Sequence, residues 1–162
     1  MIAAYTMLTR DVTNGGKMQA KLREYEIYDA TSLKDMMRRF CEETGIHDAN
    51  IDTAIKMVNQ GSPFFKVELC IIGSQPVGYI MLGFNYPVYK DGMVLEINDV
   101  FVKEEYRRKG IAKFMINSAA TEYSKALSVT ANIDSRNTAA LKIMNDLGYS
   151  YTQVIKFEKS GD

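Results

Sequence analysis

Hydrophobic residues recur at helical spacing in four stretches of the chain. The first covers residues 33–41 and the second, shorter stretch covers residues 51–58. A third helix is predicted over residues 110–125, and a fourth over residues 139–147, where Gly148 ends the pattern. Each stretch places its apolar side chains on one face, so we expect four amphipathic helices packed against a core.

Between the second and third helices the apolar period changes from a helical spacing to two residues. Residues 65–71 alternate in polarity, whereas residues 77–84 are almost wholly apolar, as in a central strand covered on both faces. A third strand follows over Val94–Val102, and the turn-forming residues between the three strands predict an antiparallel meander. Further strands are predicted at residues 4–8, 24–28, 127–133 and 149–157.

The strand Val94–Val102 changes phase in its middle. Leu95 and Ile97 are apolar at odd positions, whereas Val100 and Val102 are apolar at even positions. A β-bulge produces this shift, because one extra residue turns all later side chains to the opposite face. The alternative is a strand buried on both faces at one end.

Together these elements predict a mixed α/β (α+β) fold with helices packed on a sheet. The chain has no internal repeat and no Pro-, Gly- or Ser-rich linker; the nearest candidate is the turn at residues 14–17. We therefore predict an N-terminal extension over residues 1–22, as an extra strand or an arm, and one domain over residues 23–162.

Composition limits the classes of function. The 162 residues carry 20 Lys and Arg against 20 Asp and Glu, which argues against a surface built for nucleic acid or for a membrane. No apolar run is long enough to span a bilayer, and no signal peptide is recognisable. Cys41 and Cys70 lie in apolar contexts typical of reduced core residues, and His47 is the single histidine, so we expect a cytoplasmic protein without a zinc site.

The segment with the clearest chemistry is residues 106–113, Tyr-Arg-Arg-Lys-Gly-Ile-Ala-Lys. It places Gly110 and Ala112 at a helix N-terminus, where unpaired amides and small side chains let a phosphate approach the backbone. The segment is basic, because Lys103, Arg107, Arg108, Lys109 and Lys113 outnumber Glu104 and Glu105. A pyrophosphate site is one interpretation; a solvated basic loop before an ordinary helix is the other. The segment is neither a P-loop nor a Rossmann fingerprint.

These features resemble the GNAT superfamily of acyl-CoA N-acyltransferases. Residues 107–112 fit the family pattern Gln/Arg-x-x-Gly-x-Gly/Ala, and the bulged strand before them fits as well. The later Asn137 and the Leu-Gly-Tyr at residues 147–149 add to the match, which covers about residues 23–157. The part from Gly78 to Val102 is also somewhat similar to diamine and polyamine N-acetyltransferases. Many relatives have two strands after the last helix, whereas about 13 residues follow Tyr149 here; the resemblance thus implies that the N-terminal extension, or a partner subunit in a homodimer, completes the sheet.

The resemblance implies a fold and a cofactor. The fold is a central mixed, mostly antiparallel sheet with a bulged fourth strand and helices on both faces, and the cofactor is acetyl-CoA (coenzyme A). The amides from Arg108 to Ala112 would hold the pyrophosphate, the backbone of the bulged strand would pair with the pantetheine arm, and Asn137 would bond to that arm. The implied coenzyme-binding residues are Val100, Phe101, Val102, Arg107, Arg108, Lys109, Gly110, Ile111, Ala112 and Asn137.

The resemblance also implies a direct attack by a primary amine on the thioester, with Glu96 as the general base. Many relatives carry a tyrosine as general acid where this chain has Met144. Methionine has no proton to give, so the acid would be Tyr149, Tyr123 or water, or the thiolate would leave without one.

A cationic acceptor would meet Tyr86, Tyr89 and Asp99, although an ordinary hairpin loop with solvated tyrosines explains the two tyrosines as well. The acceptor is a small-molecule or protein amine, with a polyamine, an aminoglycoside, an amino acid and a protein all left open. An alternative function is a degenerate acyl-CoA-binding sensor or interaction module, which Met144 favours. A third is a nucleic-acid-binding domain that uses the basic residues 107–113, against which the neutral overall charge argues.

Overall fold

The computed structural model describes residues 8–11, for the backbone only, and residues 19–47 and 49–153. Within these residues the chain forms six strands and four α-helices. The strands are β1 (Leu8–Asp11), β2 (Gln19–Glu24), β3 (Phe65–Ile72), β4 (Gln75–Asn85), β5 (Val94–Val102) and β6 (Ser128–Ala131). The α-helices are α1 (Ala30–Thr44), α2 (Ile51–Asn59), α3 (Ile111–Glu122) and α4 (Thr138–Asp146).

The six strands form one sheet in the order β1-β2-β3-β4-β5-β6. Neighbouring strands from β1 to β5 are antiparallel, and β6 is parallel to β5. The parallel pair needs a crossover connection, and α3 lies within it. The mixed, mostly antiparallel sheet that the sequence predicts is therefore confirmed.

Helices pack against both faces of the sheet. On one face, α1 contributes Leu33 and Met36 to a core that also contains Leu69, Tyr79 and Phe101. We call this the α1 face. Its aromatic residues stack, with 6.0 Å between the ring centroids of Tyr79 and Phe101. Burial of apolar side chains at such a contact is the main source of folding free energy.

On the opposite face, α3 packs against the middle of the sheet, and we call this the α3 face. Five apolar residues of α3 are buried: Ile111, Phe114, Met115, Ile116 and Ala119. Gly78 allows the close approach, because a Cβ at this position would lie 2.5 Å from the Phe101 carbonyl oxygen and 3.4 Å from the Met115 Cε. The ring of Tyr123, just after α3, meets Phe84 edge to face at 5.2 Å.

The predicted bulge is present in β5, the fourth strand of the fold when β1 is left out. Met81 pairs with Asp99, but the next residue of β4, Leu82, pairs with Ile97. Asn98 is therefore the extra residue, and it accounts for the change of phase in the sequence. As a consequence Glu96 and Asp99, three positions apart, both lie on the α1 face.

The predicted strand at residues 24–28 is wrong. The strand β2 ends at Glu24, and Ile27–Asp29 forms a 3₁₀ turn that leads into α1. An ion pair fixes this turn: the Arg23 guanidinium donates to both carboxylate oxygens of buried Asp29, at 2.7 and 2.9 Å. The Glu26 amide also donates to Asp29, at 2.9 Å. These local side-chain bonds outweigh the weak alternation in the sequence.

At both ends the predicted elements lie partly outside the described residues. Of the strand predicted over residues 4–8 only Leu8 is described, and it begins β1 (Leu8–Asp11), which pairs with β2; residues 1–7 and 12–18 lie outside the described part. Of the predicted last strand, residues 149–153 are not in a strand, and residues 154–157 are outside the described part.

The chain divides into two compact units, Met1–Asn132, with the sheet and α1–α3, and Ile133–Asp162, with α4. The predicted domain boundary at residue 22 stays a prediction. Among the described residues, no helix has the length and apolar character to cross a membrane.

Glu68 is an acidic residue buried in the middle of β3. Its exposed fraction is 1%, and neither carboxylate oxygen has a hydrogen-bond partner among the described residues. Burial on the α3 face raises its pKa from the ordinary 4.5 to about 7, and the charge of Glu122 adds to the effect. Glu68 is therefore a source of pH-dependent stability.

We expect the free energy of unfolding to fall as the pH rises through this range. The folded pKa lies above the unfolded one, so the contribution is fully present below about pH 4.5 and is lost as the pH approaches 7. A shift of this size corresponds to about 3 kcal/mol. Urea titrations at pH 5 and pH 8 should show a smaller difference for Glu68→Gln, which does not titrate, than for the native chain. Glu42→Gln, at an exposed position, is the control; equal pH dependence in all three proteins would show that Glu68 does not ionise in this range.

Candidate active site

The loop between β5 and α3 has a backbone shaped for an anion. Arg108 and Gly110 both lie in the left-handed region, with φ of 61° and 80°. Gly110 adopts this conformation without strain, whereas Arg108 is a non-glycine residue in a sparsely populated region. Arg107 is extended and Lys109 does not have a positive φ. Such changes of conformation from one residue to the next in a turn can point successive N–H groups to a common side, where an anion binds.

The amides of this loop are not used by the fold. Among the described residues, no backbone or side-chain acceptor takes the N–H groups of residues 108–112, and the first amide of α3 bonded along the helix is that of Phe114, to Gly110 O at 2.9 Å. Unpaired amides at a helix N-terminus carry partial positive charge. This is the observation that fits the pyrophosphate of a coenzyme.

The basic side chains of the loop have different surroundings. Arg108 is exposed, and among the described residues it forms no hydrogen bond or ion pair. Lys109 donates from Nζ to the Glu105 carbonyl at 2.8 Å and lies 5.4 Å from the Tyr106 ring centroid. Arg107 turns away from the amides, toward α1. The loop thus offers one unpaired guanidinium, from Arg108, in addition to its backbone.

One edge of β5 is open beside the loop. Pairing between β5 and β6 covers Val94 to Ile97 only, so within the described residues the part of β5 after the bulge has no strand neighbour on this side. The Lys103 amide shows which residues of β5 face β4, because it donates to the Val77 carbonyl of β4 at 2.9 Å. Because orientation alternates along a strand, Phe101 also faces β4, whereas Val100 and Val102 face the open edge. An extended ligand can add to the sheet there.

Glu96 lies on the α1 face, two residues before the extra residue Asn98. Its carboxylate is held by the residue that follows β6. The Asn132 side chain donates from Nδ2 to Glu96 Oε1 at 2.7 Å. Opposite Glu96 on β4 stands Gly83, where a Cβ would lie 3.0 Å from Asn98 Nδ2. The absence of a side chain at this position leaves room for the Asn98 side chain. Glu96 is itself only half-buried, so it has the fixed orientation and the access that a general base needs.

Asp99 is the second carboxylate on this face. Burial raises its pKa, and interaction with the Tyr79 hydroxyl acts in the opposite direction. The Tyr79 hydroxyl is itself buried, without a hydrogen-bond partner among the described residues, and burial together with the charge of Asp99 raises its pKa. Asp99 and Glu96 therefore bring two carboxyl groups to the α1 face at the bulge.

The two tyrosines predicted to contact an acceptor lie on the connection between β4 and β5. Tyr86 and Tyr89 are exposed, with 60% and 86% of their surface accessible. The Tyr86 hydroxyl donates to Asp91 at 3.4 Å. They follow the end of β4 where Asn85 pairs with Val94, two residues from Glu96. Their role in acceptor binding stays a prediction.

The candidate general acids are divided between the two units of the chain. Tyr123 lies beside Phe84 on the α3 face, opposite the face that carries Glu96, and burial raises its pKa. Tyr149 belongs to the second unit, as does Met144 in α4. Asn137 begins α4 as its N-cap, with Oδ1 accepting from the Ala140 amide at 3.0 Å. The cap occupies its carbonyl oxygen, and coenzyme binding would fall to its Nδ2.

Three residues at this site escaped the sequence interpretation. Asn132 bonds to Glu96, 36 positions away, and Glu43 bonds to Arg107, 64 positions away. No periodicity in the sequence indicates such contacts. Gly83 stands out only because the register puts it opposite Glu96. The one signal for Asn132 is that it is a polar residue near the end of the strand predicted over residues 127–133; in the structure it directly follows β6.

Comparison with known proteins gives one family match and several structural likenesses. The model of the Acetyltransferase (GNAT) family matches residues 27–149. A search among curated protein sequences finds no match.

Three solved structures illustrate the likeness of fold. A possible acetyltransferase from Clostridium difficile 630 superposes with a TM-score of 0.79 at 19% identity, over 88% of this chain and 98% of its own. An aminoglycoside acetyltransferase from an uncultured soil metagenomic sample, in complex with sisomicin, gives 0.74 at 17%, over 88% and 97%. AAC(6')-Iy, in complex with the bisubstrate analogue CoA-S-monomethyl-acetylneamine, gives 0.72 at 14%, over 88% and 99%. At these identities the likeness concerns the fold.

Proposed function

Because the chain belongs to the acetyltransferase (GNAT) family, we propose that it transfers the acetyl group of acetyl-CoA to a primary amine, with Glu96 as the general base. Acetyltransferases of this family use acetyl-CoA, which supplies an activated acetyl group as a thioester. The observation that carries the proposal is the run of amides at residues 108–112 that the fold leaves unpaired, next to an open strand edge.

The coenzyme would be held by backbone more than by side chains. The amides of residues 108–112 would bind the pyrophosphate, aided by the dipole of α3 and the Arg108 guanidinium. Val100 and Val102 would bond to the pantetheine arm. The bond from Asn137 to this arm, which the resemblance implies, stays a prediction. Phe101, whose backbone faces β4, would keep that strand in place by packing on Tyr79.

Glu96 would take the proton that the amine must lose. Acetyl transfer forms a C–N bond and breaks a C–S bond, so the nitrogen has to be neutral when it attacks. The Asn132 amide fixes one oxygen of Glu96, which leaves the other to accept the proton directly or through water. A thiol of pKa about 8.5 is a tolerable leaving group near neutral pH, so the methionine at position 144 does not prevent turnover.

The acceptor would be a cationic amine. Glu96 and Asp99 bring two carboxyl groups to the α1 face at the bulge, and Tyr86 and Tyr89 offer exposed rings nearby. One structural neighbour was solved with sisomicin, which makes aminoglycosides one class to test, beside polyamines and protein N-termini. A homodimer and a cytoplasmic location stay predictions.

One feature favours a second function, an acyl-CoA-binding module without turnover. Met144 stands where many relatives carry the proton-donating tyrosine, and methionine has no proton to give. Such a module would bind acetyl-CoA and release no thiol.

The proposed activity is tested by release of free thiol from acetyl-CoA in the presence of primary amines. Polyamines, an aminoglycoside, amino acids and a peptide with a free N-terminus cover the acceptor classes. We expect turnover with at least one cationic amine, and mass spectrometry should find the acetylated product. Binding of acetyl-CoA without turnover on any of these amines would favour the module without catalysis.

Asn132→Ala should lower kcat about tenfold, because it removes a hydrogen bond to a charged group, worth roughly 1.5–3 kcal/mol. The KM for acetyl-CoA should stay the same, since Asn132 contacts Glu96 and not the coenzyme loop. Asn117→Ala, exposed on α3, is the matched control. A native kcat in Asn132→Ala would show that Glu96 needs no support from β6.

A further inference from the structure

Arg107 does not present its side chain to the coenzyme loop. Its NH2 atom donates to both carboxylate oxygens of Glu43, at 2.6 and 2.8 Å. Its Nε donates to the Val102 carbonyl at 2.7 Å, and its guanidinium carbon lies 5.5 Å from the Phe101 ring centroid. Every N–H group that these contacts use is therefore directed at α1 or β5.

One side chain thus connects three elements. Glu43 is in the last turn of α1, Val102 is the last residue of β5, and Arg107 immediately precedes the amides of residues 108–112. The Nε–H group of Arg107 donates to the Val102 carbonyl, which faces the open edge of β5. The connection therefore fixes where the loop leaves the strand, and it draws on a helix 64 positions away in sequence.

We propose that Glu43 is a positioning residue for the coenzyme-binding loop, acting through Arg107. The inference rests on the proposed function, because it assumes that the loop binds acetyl-CoA. In this role Arg107 serves as a structural link, and the negative charge of Glu43 holds the guanidinium over Phe101 and against Val102. Loss of Glu43 frees Arg107 and, with it, the start of the loop.

The exposure of the pair separates positioning from global stability. The Arg107 and Glu43 side chains are 38% and 48% exposed, and ion pairs at this exposure contribute little to folding. The loop, by contrast, must hold five amides in a single arrangement, and small displacements of a preorganised site are costly for binding. Removal of Glu43 should weaken the coenzyme complex and leave the melting temperature of the free protein unchanged.

Charge alone predicts the opposite change in affinity for the coenzyme. Coenzyme A is anionic, so deleting a nearby carboxylate would strengthen binding if only long-range electrostatics mattered. Glu42 is the neighbouring residue on α1, is exposed, and forms no ion pair among the described residues. Glu42→Gln and Glu43→Gln therefore remove the same charge at almost the same place, and only the second breaks the link to Arg107.

The experiment measures the Kd of acetyl-CoA by calorimetry for the native chain, Glu43→Gln, Glu43→Asp and Glu42→Gln. We expect Glu43→Gln to raise Kd about three- to tenfold, Glu43→Asp to recover most of the affinity, and Glu42→Gln to leave it unchanged or slightly tighter. In kinetics the KM for acetyl-CoA should rise for Glu43→Gln, with kcat unchanged.

If the native chain binds acetyl-CoA and the Glu43→Gln and Glu42→Gln proteins bind it with equal affinity, Glu43 does not position the loop. A Glu43→Gln protein that also melts well below the native chain without ligand would overturn the positioning role too, because the residue would then be merely structural. Failure of the native chain to bind acetyl-CoA would instead refute the proposed function, and this inference with it.

Discussion

Glu96→Gln is expected to lower kcat by about 100- to 10,000-fold, the usual range for loss of a general base. The amide keeps the size of the side chain but cannot accept a proton from the amine. The affinity for acetyl-CoA should equal that of the native chain. Glu96 lies on the α1 face, two residues before Asn98, and not in the loop at residues 108–112. The measurement is steady-state thiol release together with calorimetry of acetyl-CoA.

Glu42→Gln serves as the control for removal of a carboxylate, since this residue is exposed on α1. A Glu96→Gln protein with native kcat would remove Glu96 as the base and direct attention to Asp99, the other carboxyl group on the α1 face. Loss of both activity and acetyl-CoA binding would assign Glu96 a role in binding.

Ala112→Asp is expected to weaken acetyl-CoA binding about 100-fold, because opposing like charges costs several kcal/mol. Ala112 lies in the first turn of α3, among the unpaired amides. An acidic residue there is favourable for the helix itself, which carries partial positive charge at its N-terminus. The free protein should therefore melt at or above the native temperature while its affinity for the coenzyme falls.

Asn117→Asp adds the same charge more than one turn further along α3, at an exposed position, and should change the affinity much less. If Ala112→Asp and Asn117→Asp bind acetyl-CoA equally well, the pyrophosphate does not lie on the amides of α3, and the site would have to be sought elsewhere.

Local patterns in the sequence were enough to predict the parts of the site that are continuous in the chain. The bulge at Asn98 follows from a shift of apolar phase between Ile97 and Val100, because side-chain alternation has a period of two. The loop at residues 107–112 follows from a glycine before an apolar helical stripe. Both features depend on neighbours within a few residues.

Parts of the fold that depend on contacts between particular side chains could not be predicted. The strand β2 ends at Glu24, where the ion pair from Arg23 to Asp29 starts a 3₁₀ turn, and the weak alternation at residues 24–28 gave no sign of it. The links from Asn132 to Glu96 and from Glu43 to Arg107 depend on strand register and helix packing. Since side chains meet there only after the sheet has formed, one sequence carries no record of the pairing.

The central claim, that this chain handles acetyl-CoA at the loop before α3, is tested most directly by thermal unfolding with and without acetyl-CoA. A ligand at about 100 times its Kd adds roughly 2.7 kcal/mol of stability. We predict a clear rise in melting temperature with acetyl-CoA, a smaller rise with adenosine diphosphate, and little rise with acetyl-CoA for Ala112→Asp. An unchanged melting temperature of the native chain at millimolar acetyl-CoA would contradict the account.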